Sequence, residues 1–319
     1  IVFNYGLFSF NTPNFIFRFS LGETDYQLGA TDYERFAAEY AFFGRSVWQQ
    51  TLNLTDEEKT ELIRLLQENY RPENRVYRYN FFYDNCATRP RDKIEESIAG
   101  KVIYPAEPQD GSLTFRDIVH QYCKGHPWAR FGIDLCIGSE ADQPITQRQM
   151  MFAPFYLMDA FDGAQIKGDS IQRPLITANE LVVDATPEPD ESDWMPTPLQ
   201  CSLLLFILTA AATIYGIRRR TGLWGIDLFL FGIAGIVGCV LAFLALFSQH
   251  PAVSSNFLLL VFHPGQLLFL PYIIYCVRKG KKCWYLTLNL AVLTLFIVLF
   301  PVIPQRFDFA VVPLALVLL

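Results

Sequence analysis

Beyond residue 198 the chain consists mainly of long apolar runs separated by short loops. Four of these runs have about the 20 residues that an α-helix needs to cross the hydrocarbon core of a bilayer. The fifth stops after 11 residues, so we expect the printed chain to end within a span. The pattern predicts an all-α transmembrane bundle of about five spans, the last incomplete, with runs at 199–217, 225–248, 257–277, 284–303 and 309–319.

The charged residues of this half indicate its orientation. Basic clusters lie at Arg218–Arg220 and at Arg278–Lys282, whereas the alternate loops carry a single basic residue, Arg306. Short loops rich in Lys and Arg stay in the cytoplasm. Residues 1–198 and the loop at 249–256 are therefore expected on the outer side of the membrane.

The two halves of the sequence differ strongly in charge. Residues before 199 include 18 Lys and Arg against 30 Asp and Glu, and the remainder has 8 against 2. Such asymmetry favours two environments over one globule. The acidic half has no basic stripe, which argues against nucleic acid as a partner. We predict an outer domain at 1–185, a Pro- and acid-rich linker at 186–198 and the bundle at 199–319.

The outer half mixes strand and helix patterns, which predicts an α+β domain. Residues 1–30 alternate aromatic and polar positions as two antiparallel strands do. They begin in mid-strand, so we expect further residues before Ile1. Thr55 and Glu58 form a capping-box pattern that starts a helix ending near Arg71. We also predict helices at 31–50, 89–98, 114–125 and 146–162, a mixed segment at 130–138, and extended chain at 76–83 and 175–183.

Cys86 is the candidate nucleophile of the outer half. An aromatic, strand-like run halts at Asp84-Asn85, and a helix is predicted to begin directly after the cysteine. The dipole and the unpaired N–H groups of a helix start favour the thiolate, which is the nucleophilic form. The amides of Cys86 and Ala87 are candidates to stabilise an oxyanion. The alternative is a small buried cysteine with a structural role.

The other cysteines give no metal-site spacing, so we expect no metal ion and no other cofactor. Three cysteines in the outer half cannot all pair with one another. Cys123–Cys136 is a possible disulfide, although sequence spacing does not show proximity.

Polar residues around Cys86 have two interpretations each. A guanidinium binds phosphate in a bidentate manner, so Arg89 and Arg91 are candidates to hold a lipid headgroup. Alternatively, they form ion pairs with Asp84 and Asp92. Asn85 is a candidate substrate contact, although an Asp-Asn pair also suits the turn before the nucleophile.

Two histidines of the apolar half are further candidates. His250 lies at the outer end of the second run, where it is a candidate to contact a headgroup or an incoming amine. The alternative is an interfacial histidine that meets water. His263 lies inside the third run, where an ionisable group is a functional candidate; the alternative is a hydrogen bond to a neighbouring helix. His120 and His126 are assigned to a surface helix end.

Two blocks of the sequence resemble the bacterial Lnb family, which has an outer cysteine domain followed by a membrane bundle. The resemblance covers essentially the whole chain, and the block Asn85-Cys86-Ala87-Thr88-Arg89 is its most specific part. The other matching positions are Val2-Phe3-Asn4-Tyr5-Gly6, Phe8, Phe10, Pro13 and Asn14, and then Pro72-Glu73-Asn74-Arg75, Tyr77-Arg78-Tyr79-Asn80-Phe81 and Asp84.

The resemblance implies a circularly permuted, NlpC-like cysteine-enzyme domain, as in lecithin:retinol acyltransferase, in which a histidine strand precedes the nucleophile helix. Cys86 matches the nucleophile. The family's Gly-His-Ser block lies upstream of the Asn-Tyr-Gly strand and is expected before Ile1. Asn4 and Tyr5 are on the neighbouring strand, where one of them orients the base or both bond within the sheet. Asn256 matches relatives that carry His-Pro followed by Asn.

The implied activity is lipoprotein N-acylation through a thioester on Cys86, from a phospholipid donor to the α-amine of a diacylated lipoprotein. The implied location is the bacterial inner membrane, multi-pass, with the N-terminal domain in the periplasm. The alternatives are a membrane-tethered cysteine amidase or peptidase acting on cell wall or lipoprotein, and a non-enzymatic lipoprotein-binding membrane module. The candidate catalytic residues are Cys86 and His250, and the candidate substrate contacts are Asn4, Tyr5, Asn85, Arg89, Arg91, Asn256 and His263.

Overall fold

The computed structural model describes residues 1–9, 11, 13–105, 113–168, 172–185 and 195–319. Most of the predicted linker, residues 186–194, falls outside the described residues.

The chain divides into two compact units that are not contiguous in sequence. The prediction of a single outer domain over 1–185 differs from this division, because a segment inside that range belongs to the unit that contains the apolar helices. A short segment of the apolar half belongs in turn to the first unit. The first unit comprises Ile1–Ile118, Pro144–Asp190 and Gln249–Pro251, and the second comprises Val119–Gln143, Glu191–Ser248 and Ala252–Leu319.

The elements follow one another in a mixed order of helices and strands. The strands are β1 (Val2–Leu7), β2 (Asp25–Thr31), β3 (Val47–Leu52), β4 (Val76–Arg78), β5 (Lys101–Ile103), β6 (Gln165–Lys167), β7 (Gln172–Pro174) and β8 (Ile176–Val183). The helices are α1 (Phe15–Ser20), α2 (Tyr33–Phe42), α3 (Asp56–Tyr70), α4 (Thr88–Ser97), α5 (Phe115–Tyr122), α6 (Pro127–Cys136), α7 (Gln147–Met150), α8 (Pro154–Asp162), α9 (Pro198–Arg219), α10 (Trp224–Phe247), α11 (Pro264–Leu268), α12 (Leu270–Lys279), α13 (Trp284–Leu299) and α14 (Val311–Val317).

The sheet that borders the cysteine is antiparallel, with the order β1-β2-β4. Asn4 pairs with Gly29 across β1 and β2. Successive side chains of a strand point to opposite faces, and the next residues, Tyr5 and Leu28, form a core cluster with Tyr77 of β4. One face of β1 is thus core, and Asn4 lies on the other.

A second core cluster supports α4, the helix behind Cys86. β3 pairs with β8, and β5, β6 and β7 form a further sheet. Ile98, at the end of α4, packs with Phe161 of α8 and Ile166 of β6. The apolar residues that stabilise these sheets therefore also fix the position of α4.

Several predicted elements of the first unit are confirmed. The N-terminal strands pair, although the short helix α1 lies between them. The Thr55–Glu58 capping box is present, and the Glu58 carboxylate accepts the Thr55 N–H at 2.8 Å. The helix predicted at 31–50 is wrong beyond Phe42. Gly44, with a φ of 62°, ends the helical path, and Val47 starts a strand that pairs with β8.

Other boundaries also differ from the predictions. Extended chain predicted at 76–83 stops as a strand at Arg78. The helix predicted at 146–162 is two helices, because Pro154 cannot continue the backbone hydrogen bonds of α7. The mixed segment at 130–138 is largely the helix α6, which has Pro127 in its first turn.

In the second unit, α9 and α10 are long and apolar enough to cross a membrane, which fits the first two predicted spans. The third predicted run is not one continuous helix, because Phe257–Leu268 and Leu270–Lys279 meet at a bend of 72°. Pro264 and Pro271 each lie in the first turn of a new helix, where a missing N–H is tolerated. α13 is a shorter apolar helix.

Glycines of α10 allow its backbone to contact the backbone of residues 257–279 directly. A Cβ on Gly238 would lie 2.4 Å from the backbone nitrogen of His263, and one on Gly235 would lie 2.5 Å from that of Leu267. No side chain fits such gaps, so this close packing depends on glycine.

Candidate functional site

Asn85 shapes the turn that presents Cys86. The Oδ1 atom of Asn85 accepts the N–H of Ala87 at 2.8 Å and the N–H of Thr88 at 3.0 Å. The Oγ1 atom of Thr88 accepts the N–H of Asn85 at 2.8 Å in return. This reciprocal arrangement has the character of an N-cap, so the helix start predicted after Cys86 is confirmed. The buried Asn85 side chain fits the turn-shaping interpretation.

A cluster of aromatic side chains packs next to this turn. Phe82 stacks on Phe115 with ring centroids 4.2 Å apart and meets Phe152 edge-on at 5.1 Å. The Nδ2 atom of Asn85 donates to the Phe152 carbonyl at 2.9 Å. The backbone around Cys86 is therefore held by buried groups, while the cysteine itself is exposed.

Tyrosines flank the sulfur of Cys86 and alter its acidity. Burial by its neighbours raises the pKa of the Cys86 thiol, while hydrogen bonds from its own amide and from the Tyr79 hydroxyl act in the opposite direction. Tyr26 stacks on Tyr79 at 4.1 Å and closes this side of the site. Desolvation outweighs both hydrogen bonds, so the pKa of the thiol lies above its ordinary value even though the cysteine precedes a helix start.

The amides near the sulfur are not equivalent. The Ala87 N–H donates to Asn85, so it is not the unpaired group that the sequence suggested. The Cys86 amide interacts with its own sulfur, and within the described residues it has no partner in another residue. It is the better placed of the two amides to meet an oxyanion formed at Cys86.

Strand β1 comes closest to the cysteine at Gly6. A Cβ on Gly6 would lie 3.7 Å from the Cβ of Cys86 and 3.5 Å from the Oδ1 atom of Asn4. The Asn4 amide therefore lies beside the cysteine. It also lines a cavity of about 320 Å³, and within the described part of the chain its side chain makes no hydrogen bond. Asn4 is available to orient a base or to bind a substrate.

Tyr5 points the other way, into the core. Its hydroxyl donates to the Oδ1 atom of Asn69 at 2.8 Å, and its carbonyl accepts the Tyr77 hydroxyl at 2.7 Å. Burial raises the pKa of Tyr5 to about 12. These contacts are those of the alternative in which Tyr5 bonds within the sheet.

Both arginines of the motif pair with carboxylates. Arg89 binds Asp84 in a bidentate manner at 2.6 and 2.7 Å, and its guanidinium lies 3.7 Å above the centre of the Tyr77 ring. Arg91 is buried and donates to Asp92 at 2.8 Å. These contacts match the ion-pair interpretation of both arginines.

His250 belongs to the first unit and lies against α1. Its Nε2 atom is 2.6 Å from the carbonyl oxygen of Phe19, and the two rings meet edge-on at 5.4 Å. A nitrogen facing a carbonyl carries the proton, which assigns the tautomer from the hydrogen bond. The Gln249 N–H donates to the Leu21 carbonyl at 2.8 Å, so this segment is also held by its backbone.

The two candidates of the second unit lie in its interior. Asn256 is 7% exposed; its Nδ2 atom donates to the Leu135 carbonyl at 2.7 Å, and its Oδ1 atom accepts from Leu258 and Gln305. His263 precedes α11, with its ring centroid 6.2 Å from that of Tyr285. Both residues belong to the second unit, whereas Cys86 belongs to the first.

The remaining cysteines and histidines form no second centre. Cys123 and Cys136 are free thiols, so the possible disulfide is not formed. His120 pairs with the buried Asp134 at 2.8 Å. Within the residues that the structure describes, no group of three or more His, Cys, Asp or Glu is placed to hold a metal ion.

Sequence reasoning missed Tyr79 and Gly6 as neighbours of the thiol. Tyr77 and Tyr79 are two residues apart at the end of β4, so the period-two pattern could have assigned both rings to one face. Nothing in the sequence singles out Gly6, because it matters only through its proximity to Cys86 in the folded chain.

Comparison with family models gives matches for both halves of the chain. Residues 1–120 match the Lnb N-terminal periplasmic domain, and residues 190–319 match the Lnb transmembrane domain. Neither the curated proteins nor the solved structures include a match. The chain therefore belongs to the Lnb family, and it is a membrane protein with a periplasmic N-terminal domain.

Proposed function

We propose that this protein is a lipoprotein N-acyltransferase in which Cys86 carries the acyl chain as a thioester. Family membership supports a shared function, and one observation singles out the residue. The exposed residue Cys86 lies at a capped helix start, receives the Tyr79 hydrogen bond and lies near the Asn4 amide, which has no hydrogen-bond partner among the described residues. The finer fold assignment, a circularly permuted NlpC-like domain, stays a prediction.

In the first step a base takes the thiol proton, and the sulfur attacks an ester carbonyl of a phospholipid. The carbonyl carbon–oxygen bond breaks, the leaving lysophospholipid takes the proton, and a thioester forms on Cys86. Because burial raises the pKa of the Cys86 thiol, the thiolate is scarce at neutral pH. A base with a pKa near neutrality is therefore needed, while the Tyr79 hydroxyl stabilises the thiolate once it forms.

In the second step the α-amine of a diacylated lipoprotein attacks the thioester carbonyl. The carbon–sulfur bond breaks, an amide forms, and the proton lost by the amine returns to the sulfur. No further reactant is consumed. Both steps pass through an oxyanion next to the sulfur, where the Cys86 amide is the donor that we propose.

The other candidate site residues have different surroundings, and we propose different roles for them. Asn4 is proposed to orient the base or the ester, because its side chain has no hydrogen-bond partner in the described part of the chain and shares Gly6 as a neighbour with Cys86. The roles of His250 and His263 stay predictions; substitution by Ala at each position, with activity measured per folded protein, tests them. For Asn85, Arg89 and Arg91 we propose that they position the cysteine turn.

Intact-protein mass spectrometry tests the proposal directly. The purified full chain is incubated with phospholipid vesicles, and we expect a mass increase of one acyl chain that is absent from Cys86→Ala. Cys123→Ala is the matched control, because it removes another free thiol. In cells, the N-termini of lipoproteins are expected to lose their amide-linked acyl chain in Cys86→Ala and in Cys86→Ser.

Two results would overturn the proposal. The first is unchanged N-acylation in cells that carry only Cys86→Ala. The second is cleavage of a peptide by the wild-type protein without lipid, abolished by Cys86→Ala, which would identify a cysteine amidase or peptidase instead.

A further inference from the structure

Two adjoining hollows on the first unit have complementary chemistry. The first, which we call the basic hollow, is the cavity of about 320 Å³ that Asn4 lines together with Gly29, Arg35, Glu39 and Arg45. The second, which we call the apolar groove, has a volume of about 420 Å³. Both volumes fall within the range of roughly 300–1,000 Å³ that small-molecule sites occupy.

The apolar groove is lined by side chains from α2, β3, α4 and α8. Trp48 and Phe155 are about half exposed there, and Met158 and Leu157 line the groove with them. Large apolar side chains that remain exposed in a concave site favour a ligand that removes them from water. A flexible hydrocarbon chain suits such an open, elongated and mainly apolar groove.

The basic hollow holds two arginines that differ from most others in this unit. Arg89, Arg148 and Arg173 each bind a carboxylate. Arg35 and Arg45 form no ion pair with any described residue, and the Arg45 guanidinium lies only above the Phe43 ring, at 5.6 Å. Unpaired guanidinium groups in a cavity favour an anionic ligand, above all a phosphate.

The two hollows share a boundary, and Asn4, which lines one of them, is a neighbour of the strand position that faces the cysteine. Phe36 and Tyr40 of α2 line both. At its other end, the basic hollow includes Asn4, whose Oδ1 atom and the Cβ of Cys86 both lie within 3.7 Å of the position of a Gly6 Cβ. A molecule with a charged head and an apolar tail would match both hollows at once, with its head in the hollow that Asn4 lines.

We propose that these hollows form the binding site for the acyl donor, with the phosphate on Arg35 and Arg45 and one acyl chain in the apolar groove. The inference rests on the proposed function, because it assigns a location to the phospholipid of that reaction. It adds a site on the periplasmic unit itself, and apart from Asn4 and Leu7 its lining comes from residues outside the two sequence blocks that resemble the family.

Photo-crosslinking tests the site independently of catalysis. Full-length Cys86→Ala protein is mixed with phosphatidylglycerol vesicles that contain phosphatidylglycerol carrying a diazirine on one acyl chain. After irradiation, peptides are mapped by mass spectrometry. We expect label on the segments around Trp48 and Phe155, and loss of that label in Phe155→Asp. Phe42→Asp is the matched control, because Phe42 is 84% exposed and lines neither hollow.

The arginines are tested with a second probe. Arg35→Glu combined with Arg45→Glu is expected to lower groove labelling by the phospholipid probe about tenfold, as the loss of a charge-assisted hydrogen bond predicts. A diacylglycerol probe with the same diazirine, which has no phosphate, is expected to label both proteins equally. Arg71→Glu, at an exposed position outside the hollows, serves as the control.

The outcomes separate this inference from the proposed function. Wild-type protein that becomes acylated on Cys86 while the groove of Cys86→Ala stays unlabelled would overturn the site and leave the activity standing. A groove that is labelled as expected in a protein without acyl transfer would support the site and count against the activity. If the arginine variant lost labelling by the phospholipid probe and by the diacylglycerol probe to the same extent, the assignment of the phosphate to Arg35 and Arg45 would be overturned.

Discussion

Asn4 and Asn256 are the same residue type in two different units, and their surroundings are opposite. Asn4 lies on the open face of β1 beside Cys86, lines a cavity and has no hydrogen-bond partner for its side chain among the described residues. Asn256 is buried and bonds to Leu135, Leu258 and Gln305. Both were candidate substrate contacts, yet only one side chain is free to make a new contact.

The comparison shows how hydrogen bonds distinguish a functional polar residue from a structural one. A buried amide whose donors and acceptors are satisfied contributes to stability, and removing it leaves its partners unpaired. An unpaired amide next to a candidate nucleophile contributes little to the fold and is available to a substrate. Substitutions in the two units should therefore separate stability from activity.

The largest effect is expected for Asn256→Ala. The change leaves the Leu135 carbonyl and the Leu258 N–H without their partner, and each buried group of this kind costs about 1–3 kcal/mol. We expect the free energy of unfolding to fall by about 3 kcal/mol, measured by denaturant unfolding in detergent. Asn179→Ala, at an exposed position of β8, is the control. Equal stability of the two variants would contradict the structural role of Asn256.

Gly238→Ala is expected to destabilise the second unit by about 1–3 kcal/mol, as overpacking does in other cores. The new Cβ would lie 2.4 Å from the backbone of His263, and backbone cannot move aside as a side chain can. Gly225→Ala in the same helix has open space around it, so we expect no destabilisation there. Thermal unfolding of the two variants in the same detergent makes the comparison, and a neutral Gly238→Ala would refute the close packing.

Asn4→Ala is expected to lower the rate of acyl transfer about tenfold, because it removes one hydrogen bond made in the reaction. Its stability should change by less than about 0.5 kcal/mol, as is typical of a site without buried partners. The measurement is the rate of thioester formation on Cys86, followed by intact-protein mass spectrometry. A loss of stability without a loss of rate would give Asn4 a structural role like that of Asn256 and no role in the reaction.

The smallest effect is expected for Tyr79→Phe. The Tyr79 hydroxyl donates to the Cys86 sulfur and favours the thiolate, so its loss raises the pKa of the thiol further above its ordinary value. Alkylation of Cys86 by iodoacetamide should therefore slow by about threefold near neutral pH, which corresponds to the loss of one weak hydrogen bond. The two proteins should converge at high pH, where both thiols are ionised. Tyr70→Phe, on α3, is the control, and a faster reaction of Tyr79→Phe would reverse the assignment.

Much of the architecture could be read from local patterns. The capping box at Thr55 and the helix after Cys86 depend on side chains that bond to backbone within three residues, and such signals are present in the sequence itself. The first two spans follow from uninterrupted apolar length. The third run carries Pro264 and Pro271, each of which lies in the first turn of a new helix, but the 72° angle between its two parts is a property of the folded chain.

Properties that depend on distant residues were less accessible. The pKa of Cys86 was expected to fall, because the sequence shows the helix start but not the burial that raises the pKa of the thiol. Arg89 and Arg91 looked equally suited to phosphate and to carboxylate until their partners were seen. Arg35 and Arg45 carried no motif, and only the fold leaves them unpaired in a cavity.

The sequence by itself determined the family, the membrane half and the candidate nucleophile, because these depend on composition, apolar length and a contiguous motif. The tertiary structure decided which polar side chains around that nucleophile are free. That choice depends on hydrogen bonds and packing between residues far apart in the chain, such as Asn256 with Leu135 and Gly6 with Cys86. Side chains of one type thus acquire different roles according to the neighbours that the fold provides.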